Sequence, residues 1–178
     1  MRIRTIIILA FVLVIAAFNS ITVSAKPLEE EEDDPSFREC VKDFASNMKA
    51  VRKYMKAEKE RRRQEWKDIE LLAEVIYWEN WYTDKEKEAA WLTGCVVLNR
   101  VNSADWPDTI HDVLYQRGQY STTKKFYTQE LPEEVYEMAA DLIRNGTGDV
   151  PAGVVFQATF SQGKLYKKIN GEYFCYGK

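Results

Sequence analysis

Histidine is almost absent from this sequence, in which His111 is the only one. A cysteine or serine hydrolase normally pairs its nucleophile with a histidine base, and no G-x-S-x-G sequence is present either. The three cysteines are an odd number, so at least one stays unpaired. Cys95 lies in the apolar run from Gly94 to Leu98, which favours a small core residue over a nucleophile. These features argue against catalysis by a serine or cysteine nucleophile.

Metal-ligand and nucleotide-binding patterns are also missing. The sequence has no H-E-x-x-H, no C-x-x-C and no glycine-rich phosphate loop, so it implies neither a metal nor a cofactor. Its formal net charge is −3, whereas a nucleic-acid binder normally carries a basic surplus that neutralises phosphates. We therefore expect no metal, no cofactor and no nucleic-acid partner.

The first 25 residues have the layout of an export signal. Arg2 and Arg4 precede an apolar run from Ile6 to Phe18, and Val23-Ser24-Ala25 supplies the residues that a signal peptidase requires. Cleavage after Ala25 would give a protein that is secreted or held in the cell envelope. The alternative is an uncleaved membrane anchor, although the apolar run is shorter than the roughly 20 residues that span a bilayer.

Two charged segments follow the signal. Residues 26–35 contain KPLEEEEDD, which predicts a solvated acidic linker. Residues 36–67 predict an amphipathic helix, because apolar residues recur at spacings of three and four: Phe37, Val41, Phe44, Met48, Val51 and Met55. Between Lys49 and Lys67 this helix carries nine Lys or Arg against three Glu. The basic half is either a solvated surface or an electrostatic contact with anionic wall polymer, membrane or a partner.

The remaining residues, 68–178, predict one compact α+β domain that is mainly helical. Helical spacing of apolar residues predicts helices over 68–81, 84–101 and 132–145, and a short helix opened by Pro107. Asn170-Gly171 separates two short β-like runs, 165–169 and 172–176, and predicts a tight hairpin. Residues 153–156 are also β-like. The domain should therefore end in a small antiparallel β element.

Glu79 is the carboxylate with the clearest chemical signal. It lies three residues beyond Ile76 and seven beyond Leu72, at the edge of the helix's apolar face. Partial burial disfavours the charged form and raises the pKa, which suits a general acid at neutral pH. Aromatic side chains surround it and could pack against sugar rings: Tyr77, Trp78, Trp81 and Tyr82. Alternatively, Glu79 ends the helix in a polar contact while the aromatic residues fill a core.

Three blocks of sequence carry a family resemblance: LLAEVIYWEN (71–80), VVLNRVNSADWPDTIHDVLYQRGQYS (96–121) and INGEYFCYG (169–177). Together they resemble the SleB-type cell-wall hydrolases, which include spore-cortex-lytic enzymes, over about residues 69–176. The resemblance implies a lysozyme-like domain that cleaves the β-1,4 bond between N-acetylmuramic acid and N-acetylglucosamine in peptidoglycan glycan strands. The family's catalytic glutamate matches Glu79. In the spore enzymes the reaction is lytic transglycosylation, for which one carboxyl can serve as acid and then as base.

Further positions could contact the substrate. Besides the aromatic residues next to Glu79, the family positions imply a cleft lined by polar and aromatic side chains, and the predicted substrate-binding set is Tyr77, Trp78, Trp81, Gln119, Tyr120, Ser121, Gln157 and Tyr173. Tyr173 and Phe174 could equally pack in the core. Asn99 and Arg100 close a helix, and either cap it or brace the cleft.

The chain departs from the spore enzymes directly after Glu79. Where those usually have an Ala-Arg-Gly-Glu run, this chain has Asn80-Trp81-Tyr82-Thr83. A second carboxylate is therefore either absent or supplied by Asp84, Glu86 or Glu88. We expect a monomeric, exported lytic transglycosylase acting on a spore, vegetative or phage-targeted wall. The alternatives are a two-carboxylate muramidase and a non-catalytic wall-binding or coat-associated protein on the same scaffold.

Overall fold

The structure, a computed structural model, describes residues 35–82 and 87–177, with side chains from residue 39 onward. The predicted export signal and nearly all of the predicted acidic linker lie outside these residues, as do Asp84 and Glu86. Within the described ranges, no helix combines the length and the apolar character needed to cross a membrane.

In this part of the chain, helices precede a small sheet, and the predicted α+β class is confirmed. The α-helices are α1 (Pro35–Ile76), α2 (Lys87–Val101), α3 (Ile110–Tyr115) and α4 (Glu133–Asn145). A π-helix (Tyr77–Trp81) continues α1, and a 3₁₀ helix (Ser121–Lys125) follows α3. The strands are β1 (Val154–Ala158), β2 (Leu165–Ile169) and β3 (Glu172–Tyr176).

Helix α1 is one continuous element where the sequence predicted two. No proline or glycine lies between Pro35 and Gly94, so nothing in the sequence interrupts its hydrogen bonds. The chain divides within this helix into two compact units, Met1–Val51 and Arg52–Lys178. In the first unit, three residues of the predicted apolar stripe, Val41, Phe44 and Val51, are at least half exposed, whereas Met48 is partly buried.

Helix α2 lies at the centre of the second unit and joins its two apolar clusters. One face packs with the end of α1, α3 and α4, and the other packs Ala89, Leu92 and Val96 against the sheet. Gly94 allows this close packing, because a Cβ atom there would lie 2.4 Å from Leu142 Cδ1. Cys95 is fully buried, and burial raises its pKa to about 12. It is a core residue, as expected.

The ends of the shorter helices follow local signals. Helix α4 begins after Pro132 and ends at Gly146, which has φ 82°, as predicted. Helix α3 begins at Ile110, later than Pro107 suggested, because the Thr109 hydroxyl accepts a hydrogen bond from the Asp112 N–H and caps it at that point.

The sheet is antiparallel with strand order β1-β3-β2. Strands β2 and β3 form the predicted hairpin, in which Asn170 and Gly171 have φ 52° and 81°. Positive φ at both central residues is the geometry that Asn-Gly favours in a two-residue turn. Phe174 is fully buried against α2. Glu172 is the first residue after the turn, so the hairpin determines its position.

Candidate active site

Glu79 lies in the π-helix that ends α1. Single π-helical turns are frequent at functional sites, since the extra residue changes where side chains point. Around Glu79, Asn80 is buried and Trp78 is partly buried. The partly buried Glu79 carboxyl accepts a hydrogen bond from the Thr122 hydroxyl, in which Oγ1 and Oε1 are 2.5 Å apart. Among the described side chains, none forms an ion pair with Glu79.

Burial raises the pKa of the Glu79 carboxyl above its ordinary value. The negative charge of Glu172 raises it further, whereas the Thr122 hydroxyl and the Lys125 ammonium lower it. The net effect is an increase, because burial is the largest contribution. A carboxyl in this state keeps a larger protonated fraction at neutral pH and can donate a proton to a substrate oxygen.

Glu172 forms a second acidic position in the same site. Its Oε2 accepts hydrogen bonds from Gln157 Nε2 at 2.6 Å and from Asn80 Nδ2 at 3.2 Å. Asn80 also donates to the Thr93 hydroxyl oxygen at 2.6 Å. This network joins the π-helix, α2, β1 and β3, and holds the start of β3 beside the segment that carries Glu79.

Arg100 braces the site from the end of α2. It is almost fully buried, and its Nε donates to the Val155 carbonyl oxygen at 2.7 Å. Its Nη1 donates to Gln119 Oε1 at 3.0 Å and to the Tyr120 hydroxyl at 3.4 Å. Burial, with the charges of Glu79 and Glu172, raises the pKa of Tyr120 to about 12. Arg100 therefore ties the loop before the 3₁₀ helix to strand β1.

Comparison with known families determines the class of this scaffold. The Cell Wall Hydrolase family, which is SleB-type, matches residues 84–172, half of the chain. The chain belongs to this family. The resemblance found in the sequence is confirmed, and membership assigns a hydrolase activity on the cell wall and an extracellular or wall-associated role. No match to the chain was found among curated proteins or among solved structures.

The family match begins after Glu79 and includes Glu172 at its end. Of the predicted substrate-binding residues, the polar ones and Tyr120 fall within it: Gln119, Tyr120, Ser121 and Gln157. In this cell wall hydrolase, Ser121 is exposed at the start of the 3₁₀ helix. Gln157 Oε1 is buried and has no hydrogen-bond partner among the described residues. Substrate contact by this set stays a prediction.

The predicted aromatic contacts lie at different depths. Tyr77 and Trp81 are buried in the helical cluster. Trp78 is partly buried; its Nε1 donates to Glu74, and the Lys125 ammonium lies 5.0 Å from its ring centroid. Tyr173 is partly buried, and its hydroxyl accepts from Lys168 Nζ at 2.7 Å. Trp78 and Tyr173 are thus less buried than Tyr77 and Trp81.

Asn99 shares the bracing function of Arg100, one of the two roles that the sequence left open. Its amide donates to the carbonyl oxygens of Pro151 and Val154, each at 3.0 Å. These bonds hold the segment before β1 and the start of that strand against α2. The start of β1 is therefore held in place by two side chains from the end of one helix.

The sequence did not single out three residues that adjoin Glu79 or its network: Asn80 as a polar contact, Thr122 and Glu172. Asn80 carried a usable signal, because it is a polar residue on the apolar face of a predicted helix. Thr122 and Glu172 lie in a loop-like segment and a hairpin, where no periodicity marks them. Of the predicted second carboxylates, Glu88 is described; it is exposed and forms an ion pair with Lys167. In the described ranges, no group of three or more His, Cys, Asp and Glu could hold a metal ion.

Proposed function

We propose that this cell wall hydrolase is an exported lytic transglycosylase that cleaves the β-1,4 bond between N-acetylmuramic acid and N-acetylglucosamine, with Glu79 as general acid and then general base. The observation that supports this is the state of Glu79. Its carboxyl is partly buried, has a raised pKa and has no ion-pair partner in the described part of the chain. Carboxyls held in this state commonly act as proton donors in glycoside cleavage.

The reaction uses the two forms of Glu79 in turn. Thr122 engages Oε1, and no described residue hydrogen-bonds Oε2, so we assign Oε2 as the oxygen that exchanges the proton with the substrate. The protonated carboxyl transfers its proton to the glycosidic oxygen as the bond from that oxygen to C1 breaks. The muramic 6-hydroxyl then bonds to C1, and its proton passes to the Glu79 carboxylate. The product is a 1,6-anhydromuramic end, and the enzyme recovers its initial protonation state.

Accessible aromatic surface beside Glu79 supports sugar binding. Tyr82 is 53% exposed, and its ring centroid lies 5.0 Å from that of Trp78. Apolar ring faces of this kind pack against the C–H faces of pyranose rings. The polar residues Gln119, Ser121 and Gln157 are candidates for contacts with the acetamido groups. Export rests on the signal-like sequence of residues 1–25.

Replacement of the carboxyl tests the role of Glu79. We expect Glu79→Gln to lower the rate of glycan cleavage by about 10² to 10⁴, because the amide is nearly isosteric but donates no acidic proton. Glu88→Gln is the matched control, since it removes a carboxylate that is exposed and paired with Lys167. Both variants should unfold at the wild-type urea concentration. A folded Glu79→Gln protein with near wild-type activity would contradict the assignment.

Product analysis in ¹⁸O-labelled water separates the transglycosylase from the second candidate, a two-carboxylate muramidase. Glu172 is the observation that favours the muramidase, because it places a second carboxylate in the site. Transglycosylation gives anhydromuramic ends without label, because water does not attack C1. Labelled reducing ends, seen by mass spectrometry of the muropeptides, would instead establish hydrolysis.

A further inference from the structure

Two side-chain amides hold the Glu172 carboxylate in place. Two amide N–H groups, from Asn80 and Gln157, donate to the same carboxylate oxygen. The two donors lie on different elements, the π-helix and β1, so together they hold the carboxylate in one position. Nothing in this arrangement neutralises the charge, because neither amide is a cation. The network therefore fixes one negative charge at the start of β3.

The Glu172 carboxylate is held beside the segment that carries Glu79. Asn80, which donates to Glu172, is the residue directly after Glu79 in the π-helix. This hydrogen bond joins two residues that are 92 positions apart in the sequence. Any movement of the β2–β3 hairpin would thus move the Glu172 charge relative to the segment that carries Glu79.

Few other charges face Glu79 in the described part of the chain. From the segment around the 3₁₀ helix, Lys125 lowers its pKa, and Tyr120 is held neutral by burial. Helix α2, which packs on the π-helix, carries Lys87 and Glu88 exposed at its start and Arg100 at its end, against Tyr120. On its own helix, Glu74 is bound by Trp78 Nε1 and by the Tyr127 N–H.

We propose that Glu172 is a positioning residue of this active site: an anion, fixed by Asn80 and Gln157, whose charge holds Glu79 in its acid form. The inference rests on the proposed role of Glu79 as general acid. A nearby negative charge disfavours ionisation of Glu79. Glu172 therefore raises the Glu79 pKa, as burial does, whereas Thr122 and Lys125 lower it. Glu172 acts through this charge and transfers no proton itself.

Glu172→Gln removes the charge and can retain the network. The carbonyl oxygen of the new amide can accept from Asn80 and Gln157 as the carboxylate oxygen does. Glu172→Asp keeps the charge on a shorter side chain, and Glu88→Gln removes a charge of the same sign from an exposed position. All three are compared with the wild type in the mature chain, on soluble glycan fragments, by kcat/KM as a function of pH.

The expected result is a shift of the alkaline limb of the pH profile. Activity requires protonated Glu79, so it falls as pH rises through the Glu79 pKa. In Glu172→Gln that pKa is lower, and the limb moves to lower pH. Glu172→Asp keeps the charge and should therefore show a smaller shift than Glu172→Gln, and Glu88→Gln should leave the limb at its wild-type pH. A ¹³C NMR titration, with the Glu79 carboxyl identified as the signal missing from Glu79→Gln, should give the same order of pKa values.

Two outcomes would overturn the inference. One is a folded Glu172→Gln protein in which neither the limb nor the Glu79 titration shifts, which would leave Glu172 a structural group. The other is loss of activity at every pH in folded Glu172→Gln, which would make Glu172 a second catalytic carboxylate. Failure of the proposed function has separate signatures, which are activity in Glu79→Gln or ¹⁸O-labelled reducing ends from the wild type.

A second variant covers the case in which Glu172→Gln does not fold. Gln157→Leu removes one of the two donors and leaves both carboxyls in place. A Glu172 carboxylate held by Asn80 alone can move away from Glu79, so the alkaline limb should move in the same direction, by less. An unmoved limb in folded Gln157→Leu, with an unchanged Glu79 titration, would also count against the proposal.

Discussion

At Glu79, two effects raise the pKa and two lower it. Burial and Glu172 favour the protonated carboxyl, whereas the Thr122 hydroxyl and the Lys125 ammonium favour the carboxylate. Thr122 donates its hydroxyl proton to Oε1, so its contribution is a hydrogen bond to the charged form. The protonation state of Glu79 is thus a balance that single substitutions should move in opposite directions.

We predict that Thr122→Val raises the pKa of Glu79 and moves the alkaline limb of the pH profile to higher pH. Valine is close to threonine in shape but cannot donate to Oε1. The sign is opposite to that expected for Glu172→Gln. The measurement is kcat/KM against pH on soluble glycan fragments.

Thr123→Val is the matched control for this test. Its hydroxyl donates to the Tyr120 carbonyl oxygen at 2.9 Å, so the substitution disturbs the same loop but leaves the hydrogen bond to Glu79 intact. A limb that moves equally in both variants would show that loop disturbance, not the lost hydrogen bond, shifts Glu79.

At the scale of elements, the β2–β3 hairpin depends on one glycine. Gly171 has φ 81°, where a side chain is strained, and a Cβ there would meet nothing within 4 Å. We predict that Gly171→Ala lowers the free energy of unfolding by roughly 1–2 kcal/mol through backbone strain alone. Urea denaturation measures the change. Asn170→Gly, at φ 52°, should cost far less, and equal destabilisation by both variants would contradict this origin.

The elements with local signals could be predicted from the sequence. The Pro132 and Gly146 boundaries of α4 and the Asn-Gly hairpin turn depend on residues with characteristic φ preferences. Proline restricts φ, whereas glycine and asparagine adopt the positive values seen at Gly146, Asn170 and Gly171. The π-helix at Glu79 and the 3₁₀ helix at Thr122 could not be predicted, because packing against α2 and its neighbours determines these departures from α-helical geometry, and no local residue preference encodes them.

The residues of the candidate site also fall into those with a local sequence signal and those without one. Glu79 could be found from its place at the edge of an apolar helix face. Its partners could not, because they are joined over long stretches of chain: 43 residues separate Thr122 from Glu79, and 92 separate Glu172 from Asn80. A hairpin can be predicted from its turn, but which helix its first residue meets depends on how the strands pack on α2.

At the scale of the whole molecule, residues before Asp68 take part in the second unit. The Trp66 ring stacks on Tyr136 of α4 with ring centroids 6.3 Å apart. Glu65 accepts from Arg144 of the same helix at 2.8 Å. The compact unit begins at Arg52. These contacts give residues 65 and 66 a part in packing α4. The domain boundary at residue 68, which the sequence pattern suggested, is still a prediction.

The basic stretch from Lys49 to Lys67 contains exposed lysines in addition to the arginines that form its ion pairs. Arg61 and Arg62 bind Glu58, and Arg61 also binds Glu65. In the described ranges, the exposed lysines of α1 form no ion pair, which leaves them available to an anionic wall polymer. Surface charges of this kind raise the local concentration of a polyanion, and salt screens the effect over about 10 Å at 0.1 M.

We predict that replacing three of these lysines, Lys53, Lys56 and Lys59, with glutamine weakens binding to whole cell walls and slows their lysis without changing cleavage of soluble glycan fragments. The substitutions preserve helix propensity and leave the Glu79 site untouched, so fragment kinetics report on the site alone. Sedimentation with purified walls at low and high salt measures the binding. If the wild type loses its advantage at high salt, attachment is electrostatic. Equal binding of both proteins at low salt would mean that this face of α1 is only solvated, and that the site alone determines attachment to the wall.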